Sequence, residues 1–220
     1  MKDPVKKRSY VSALREERAR ATRQAVIDAA IELFLARGYP GTSLAAVADQ
    51  AGVSVDTVYH LFSDKRTLLK LALDVAIGGD DRDVPLLERP EPQQMRDETD
   101  QRRQIAIFAA GICRQLERLR PMNDMLRSAA AVDTEIAALR ADVHLRQRRD
   151  AMTMVAGWIS ARGPLRDELT VDEAAAILWT VASPEVHRMF RIDWRWDASQ
   201  YQRWLEATLA ASLLPPSPCC

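Results

Sequence analysis

Apolar residues recur along this chain at intervals of three and four residues, which is the spacing of one face of an α-helix. Ile27, Ala30, Ile31 and Phe34 follow this pattern, and they predict a helix with a single buried stripe. We find no run in which apolar and polar residues alternate, as they do in a half-buried strand, and no internal repeat. The pattern therefore predicts an all-α protein.

Helix-start and helix-stop residues divide the first third of the chain into short segments. Gly38 is expected to end the first helix, since glycine commonly ends helices. Gly52 makes a turn between two short helices, and Ser54 is a natural N-cap for the second of them. Two short helices joined by a glycine-containing turn form a helix-turn-helix, whose second helix enters a DNA major groove. The helices are predicted over about 18–37, 42–51, 54–62 and 65–76.

Glycines, aspartates and prolines between residues 78 and 92 predict a loop-rich connection and a domain boundary. Beyond it, long helices are predicted over about 100–119 and 133–159, with a short helix starting at Pro121 between them. Capping-box patterns at 170–173 and 197–200 open two more helices. The predicted organisation is a flexible basic arm (1–17), a three-helix helix-turn-helix DNA-binding domain (18–76), a helical-bundle ligand-binding and dimerisation domain (77–214) and a disordered tail (215–220).

Composition and charge narrow the class of protein. Of the 220 residues 47% are hydrophobic, and no run of about 18 apolar residues exists that could span a membrane. Cys113, Cys219 and Cys220 have neither the spacing of a zinc site nor that of a disulfide framework, which favours the reducing cytoplasm. The net charge is zero, yet the first 23 residues hold 8 basic and 3 acidic side chains. A basic segment beside a helix-turn-helix suits phosphate contacts.

Three short motifs occur at fixed spacing in the helix-turn-helix region: GYPGTS (38–43), AGVS (51–54) and TVYH (57–60), followed by Phe62 and Lys65. Together they resemble the TetR family of bacterial transcriptional regulators, and the resemblance covers about residues 19–70. It implies a helical C-terminal domain that binds a small molecule and dimerises. It also implies that Tyr59 and Lys65 contact the DNA backbone.

The same region carries the other candidate DNA contacts. Thr42 and Ser54 lie at predicted helix N-termini, where a hydroxyl and backbone N–H groups can bind a phosphate. Val55 and Thr57 are candidates for base contacts, with Val55 suited to a thymine methyl group. Asp56 either points away from DNA, caps its own helix or accepts a hydrogen bond from a cytosine amine. The candidate DNA-binding residues are Thr42, Ser43, Ser54, Val55, Thr57, Tyr59, His60, Lys65 and Arg15.

The second long helix of the C-terminal part has an interrupted apolar stripe. Its apolar face includes Val143, Met154 and Trp158, but Gln147 and Asp150 fall on the same face. A buried polar side chain needs a partner, so these residues either pair within the bundle or face a ligand. Methionines and aromatic residues could line a cavity for a lipophilic molecule. The candidate ligand-binding residues are Phe108, Ile112, Met122, Met125, Gln147, Met154, Trp158 and Trp179.

A helix-turn-helix protein reads two half-sites through two-fold symmetry, so we expect a homodimer. The expected interface uses residues 171–191 and 197–213, with Trp179, Trp204, Leu205 and Leu209 at its centre.

The sequence thus predicts a ligand-responsive, sequence-specific DNA-binding regulator, expected to be a repressor, that acts on a palindromic operator and responds to a small lipophilic effector. The alternative is an architectural or partner-binding DNA protein without a small ligand. We expect no enzyme, no cofactor and no metal site, because the three histidines are scattered and no nucleophile elbow or phosphate-binding glycine loop is present.

Overall fold

The structure is a computed structural model that describes residues 5–82 and 84–216, with side chains described except in 5–14 and at 144 and 145. All regular elements in these ranges are helical, as the hydrophobic pattern predicts. The chain forms two compact units, which divide between Val75 and Ala76. No helix in the described ranges has the length and apolar character needed to cross a membrane.

The first unit is built from α1 (Val5–Arg37), α2 (Leu44–Ala51), α3 (Val55–Phe62) and α4 (Lys65–Gly78), and the last residues of α4 lie beyond the division. Helix α1 begins at Val5 rather than at about Arg18, so most of the predicted arm is helical, and residues 1–4 lie outside the described ranges. The apolar stripe does not extend that far. However, no glycine or proline occurs within α1, and its N-terminal half is rich in strong helix formers.

Local signals fix the helix-turn-helix. Gly52 follows α2 with φ of +67° and donates its N–H to the carbonyls of Ala48 and Asp49, a left-handed conformation that glycine adopts readily. The Ser54 hydroxyl accepts a hydrogen bond from the Thr57 N–H at 3.1 Å, so Ser54 is the predicted N-cap of α3. The core of the unit is formed by buried side chains from all four helices: Val26, Ile27, Phe34, Val47, Val58, Phe62, Leu68, Leu69 and Leu73.

The second unit contains α5 (Pro90–Asp97), α6 (Gln101–Ala130), α7 (Thr134–Ala141), α8 (Arg148–Ser160), α9 (Val171–Val181), α10 (Pro184–Arg188) and α11 (Ala198–Leu213). Two prolines act differently from the prediction. Pro90 opens α5 where a loop was expected, because proline is well suited to the first turn of a helix. Pro121 lies within α6 and does not begin a new helix. It is exposed and has no N–H to donate to the carbonyl group four residues earlier.

A π-helical segment, Asp142–Gln147, joins α7 to α8 within the predicted long helix. A π-turn closes i→i+5 hydrogen bonds instead of i→i+4 bonds, so it takes up an extra residue. The buried face accordingly continues from Val143 to Val155 and Ile159, each one position beyond the predicted Met154 and Trp158. The apparent interruption of the stripe is therefore a shift of register.

Both predicted capping boxes are present. The side chain of Thr170 accepts from the N–H of Glu173, whose carboxylate accepts from the N–H of Thr170, and this pair opens α9. Asp197 and Gln200 form the same reciprocal pair at the start of α11. Helix α11 ends at Leu213, and residues 217–220 of the predicted tail lie outside the described ranges. The core of this unit comes from α6, α8, α9 and α11.

Candidate functional site

Helix α3 presents one apolar and one accessible face. Val58 and Phe62 are buried, whereas Val55 is 38% exposed and Tyr59, one turn later, is 54% exposed. His60 is also exposed. The accessible face therefore carries an aliphatic side chain and a phenol ring, and their contacts with a DNA groove stay predictions.

The N-cap of α3 fixes the orientation of its first turn. Ser54 is exposed, and its hydroxyl lies 2.8 Å from that of the half-buried Thr57 as well as capping the helix. Asp56 is exposed in the same turn, where the positive end of the helix dipole favours a carboxylate. Ser43 caps α2 in the same way, accepting from the Ala46 N–H at 3.1 Å. The two serine caps are thus accessible, and their phosphate contacts stay predictions.

The structure contradicts the predicted phosphate contact of Thr42. This residue is 2% exposed. Its hydroxyl lies 3.1 Å from the Leu33 carbonyl oxygen and 2.9 Å from that of Gly38, and its N–H donates to the Tyr39 carbonyl. Both groups that were expected to bind phosphate are therefore used inside the turn between α1 and α2.

Lys65 also serves this turn. Its ammonium group donates to the carbonyl oxygens of Tyr39 at 2.9 Å and Thr42 at 3.0 Å, and lies 4.1 Å from the centre of the Tyr39 ring. Lys65 thus acts as a brace that fixes the turn next to α2, and the DNA-backbone contact that the resemblance implies stays a prediction. Arg15 is exposed on α1. Arg23, which sequence reasoning missed, lies 5.1 Å from the Phe62 ring at the end of α3.

A polar cluster lies within the second unit. The carboxylate of Glu117 on α6 accepts hydrogen bonds from His187 Nε2 at 3.0 Å and from Arg191 Nε. His187 is only 1% exposed. Burial lowers the pKa of His187, and the neighbouring Glu117 offsets part of that effect. Burial acts to raise the pKa of Glu117, but the hydrogen bonds and charges of Arg191 and His187 outweigh it, so the pKa is lowered. The cluster links α6 to α10 and to the π-helical segment Met189–Asp193 that follows it.

Five buried donors of this unit have no acceptor among the described residues. Three of them interact through Arg148: the hydroxyl of Tyr201, the indole Nε1 of Trp179 and the Nε of Arg148 itself. The other two are the Nε atoms of Arg120 and Arg140. Arg148 donates from Nη2 to the Trp179 carbonyl, and its Cζ lies 5.1 Å from the Trp179 ring. Burial lowers the pKa of Arg148 to about 10, with partial compensation from the charges of Glu185 and Tyr201. Burial also raises the pKa of the Tyr201 phenol.

Comparison with known proteins identifies the N-terminal unit. The family model "Bacterial regulatory proteins, tetR family" matches residues 26–72. The HTH-type regulator TtgW of Pseudomonas putida is 44% identical over 55 residues, 25% of this chain and 41% of that one. The HTH-type regulator TtgR of the same species is 24% identical over 210 residues, 92% and 96% of the two chains.

Solved structures extend the similarity to the complete fold. NalD of Pseudomonas aeruginosa, described as the secondary repressor of the MexAB-OprM multidrug efflux pump, superposes with a TM-score of 0.65 at 22% identity, covering 90% of this chain and 98% of that one. The chain belongs to the TetR family of bacterial regulatory proteins. It is a DNA-binding transcriptional regulator, and the family consists of regulators rather than enzymes.

In this TetR-family chain, the predicted ligand-lining residues occupy different environments. Phe108, Ile112 and Met122 are buried, and Met125, Trp158 and Trp179 are partly buried. Gln147 is partly buried and donates to the Asp142 carboxylate at 2.9 Å, so its amide is paired within the π-helical segment. Met154 is 50% exposed, which contradicts its assignment to a cavity wall. The one-residue shift of register in the π-helical segment explains both the pairing of Gln147 and the exposure of Met154.

The structure also contradicts the predicted dimer contacts at Leu205 and Leu209. Both are fully buried in the core of their own unit. Trp204 is partly buried, 4.2 Å from the Phe190 ring centre. The accessible face of α11 instead carries Arg203, Ala207 and Ala211. Sequence reasoning identified α11 as amphipathic but took its apolar stripe for an interface, although a core stripe has the same spacing.

The polar cluster and the three donors were almost entirely missed. Among these residues only Trp179 was a candidate, chosen as an apolar ring and not as a donor. Arg148 stands directly after the expected Gln147, so a one-residue shift would have found it. Tyr201 and His187 gave no local signal, because their environment depends on α6 and α8, which are distant in sequence.

Proposed function

We propose that this TetR-family regulator is a repressor that binds a palindromic operator as a homodimer and responds to a small, largely apolar effector. One observation carries the proposal: buried donors without acceptors among the described residues, at Tyr201, Trp179 and Arg148, lie in the apolar bundle of a chain whose first unit is a helix-turn-helix. The descriptions of similar proteins support the proposed repressor role and the proposed apolar effector. NalD is described as a repressor, and a second neighbour, FadR of Bacillus halodurans, as a fatty acid degradation regulator (TM-score 0.63, 20% identity, 85% and 93% coverage).

The unpaired donors give an energetic reason for an effector. A buried hydrogen-bonding group without a partner costs about 1–3 kcal/mol. An effector that supplies an acceptor recovers part of this free energy, and the surrounding apolar side chains bind its body. The effector changes operator binding only if it binds one arrangement of the dimer more tightly than another.

The first experiment tests the DNA-binding face. Tyr59→Ala should weaken operator binding without unfolding, because the side chain is exposed on α3. Leu35→Ala is the matched control, since Leu35 is 44% exposed on α1 of the same unit. Fluorescence anisotropy with labelled operator DNA measures both affinities. Equal affinity of Tyr59→Ala and the wild-type protein at low salt would exclude Tyr59 from the interface.

The second experiment tests the homodimer. We place its interface on the accessible faces of α9 and α11, which carry Ala176 and Ala207. Ala207→Glu should produce monomers, because several kcal/mol are lost when an unpaired carboxylate is buried in an interface. Ala138→Glu, at an exposed alanine of α7, is the control. Sedimentation velocity at micromolar concentration reports the result, and a wild-type monomer would contradict the proposal.

The third experiment tests the response to an effector. A thermal-shift screen of lipophilic compounds should identify ligands that raise the melting temperature, because they bind only the folded protein. The same compounds should release operator DNA. If they bind without changing operator affinity, the architectural alternative gains and the proposed response is wrong.

A further inference from the structure

The arginines around the polar cluster differ in how their charges are balanced. Arg191 is paired with Glu117, and Arg140 with Glu185 at 3.1 Å. Within the described part of the chain, Arg148 forms no ion pair, although burial already lowers its pKa. The carboxylate of Glu185 acts on Arg148 electrostatically but is bound to Arg140.

Arg148 makes two contacts with Trp179. Nη2 donates to the backbone carbonyl of Trp179, and the guanidinium group lies over its indole ring. Neither contact neutralises the charge. The Nε proton remains without an acceptor among the described residues. A buried guanidinium charge without an ion pair costs free energy, and a bound anion would lower that cost.

Two neutral donors accompany Arg148. The phenol of Tyr201 is fully buried, and its charge state and that of Arg148 act on each other. The indole Nε1 belongs to Trp179, whose ring lies against the guanidinium group. Three donors and one positive charge without an ion pair form a set suited to an oxyanion, because charge-assisted hydrogen bonds to oxyanions are the stronger ones.

We propose that the effector is an amphipathic anion, with a carboxylate or sulfonate group bound by Arg148 and by the Tyr201 and Trp179 donors. Its apolar body contacts the core cluster to which Trp179 packs, which includes Met152 and Leu178. This inference rests on the proposed effector response and adds the charge of the effector to it.

Two fluorescent probes with the same carbon skeleton separate charge from apolar binding. 8-Anilinonaphthalene-1-sulfonate carries an anionic group, and N-phenyl-1-naphthylamine is its neutral counterpart. Arg148→Met should weaken binding of the sulfonate by about tenfold or more, which corresponds to the loss of one charged hydrogen bond. Binding of the neutral probe should stay within about twofold, since methionine retains the apolar stem.

Tyr201→Phe provides a second variant that leaves Arg148 in place. It should also weaken sulfonate binding and leave binding of the neutral probe unchanged. Arg140→Gln is the matched control, because it removes an arginine whose charge is already paired with Glu185. Circular dichroism of each variant confirms that the helices are retained.

Each outcome has one meaning. Selective loss of sulfonate binding in both variants supports the anionic effector. Equal weakening of both probes makes Arg148 a structural brace for Trp179, and unchanged binding of both places the probes elsewhere; either result overturns the inference. If the wild-type protein binds the neutral probe equally well or better, the inference fails while the proposed effector response stands. If it binds neither probe, both fail.

Discussion

The Tyr201 hydroxyl allows a test in which a substitution should stabilise the protein. Tyr201 is fully buried and its hydroxyl has no partner among the described residues. Leaving such a group unpaired costs about 1–3 kcal/mol. Phenylalanine keeps the ring contacts with His187 and Phe190 and removes only the oxygen. We expect Tyr201→Phe to stabilise the protein by about 1–2 kcal/mol after a small loss of packing.

Thermal and urea unfolding in the absence of any ligand measure this effect. The melting temperature should rise by about 2–8 °C, given 2–4 °C per kcal/mol for a domain of this size. Tyr59→Phe is the control, because Tyr59 is 54% exposed and loss of its hydroxyl should change stability by less than about 0.5 kcal/mol. If Tyr201→Phe lowers the stability by more than that, the hydroxyl is paired in the free protein and the reasoning about the three donors fails.

Three further predictions concern stability. Lys65→Met should lower the free energy of unfolding by about 1–3 kcal/mol in urea titrations, because the Tyr39 and Thr42 carbonyls lose their donor; an unchanged midpoint would show that the brace is dispensable. Burial lowers the pKa of His187 below its ordinary 6.5, so its stabilising contribution is present above about pH 6.5 and is lost as the pH falls toward the lower folded value. His187→Gln should reduce the difference in stability between pH 7.5 and 5.5, and an identical difference in the two proteins would refute this. Leu205→Asp should unfold the second unit rather than give a folded monomer, as seen by lost helical circular dichroism.

Helix boundaries were predictable where a local residue determines them. Gly52 and Ser54 define the turn and the start of α3 through bonds that reach at most four residues along the chain. The capping boxes at Thr170 and Asp197 are equally local. Such features depend on backbone groups at fixed spacing, and a sequence pattern contains that information.

The candidate sites were less predictable because their geometry depends on distant residues. Lys65 reaches carbonyls 23 and 26 residues earlier in the chain. No spacing rule distinguishes this brace from an exposed phosphate contact. Similarly, an amphipathic helix reveals a buried stripe but not whether Leu205 is covered by its own unit or by a second copy of the chain.

The π-helical segment before α8 has a genetic consequence. Because the π-turn takes up one extra residue, losing one residue from 143–147 would restore a regular helix and leave α8 in the same rotational register. Val155 and Ile159 would still follow Val143 on the buried face. The same loss within α8 would instead rotate every later residue of that helix by about 100°. Relatives that differ by one codon in 143–147 can therefore keep the same buried face of α8.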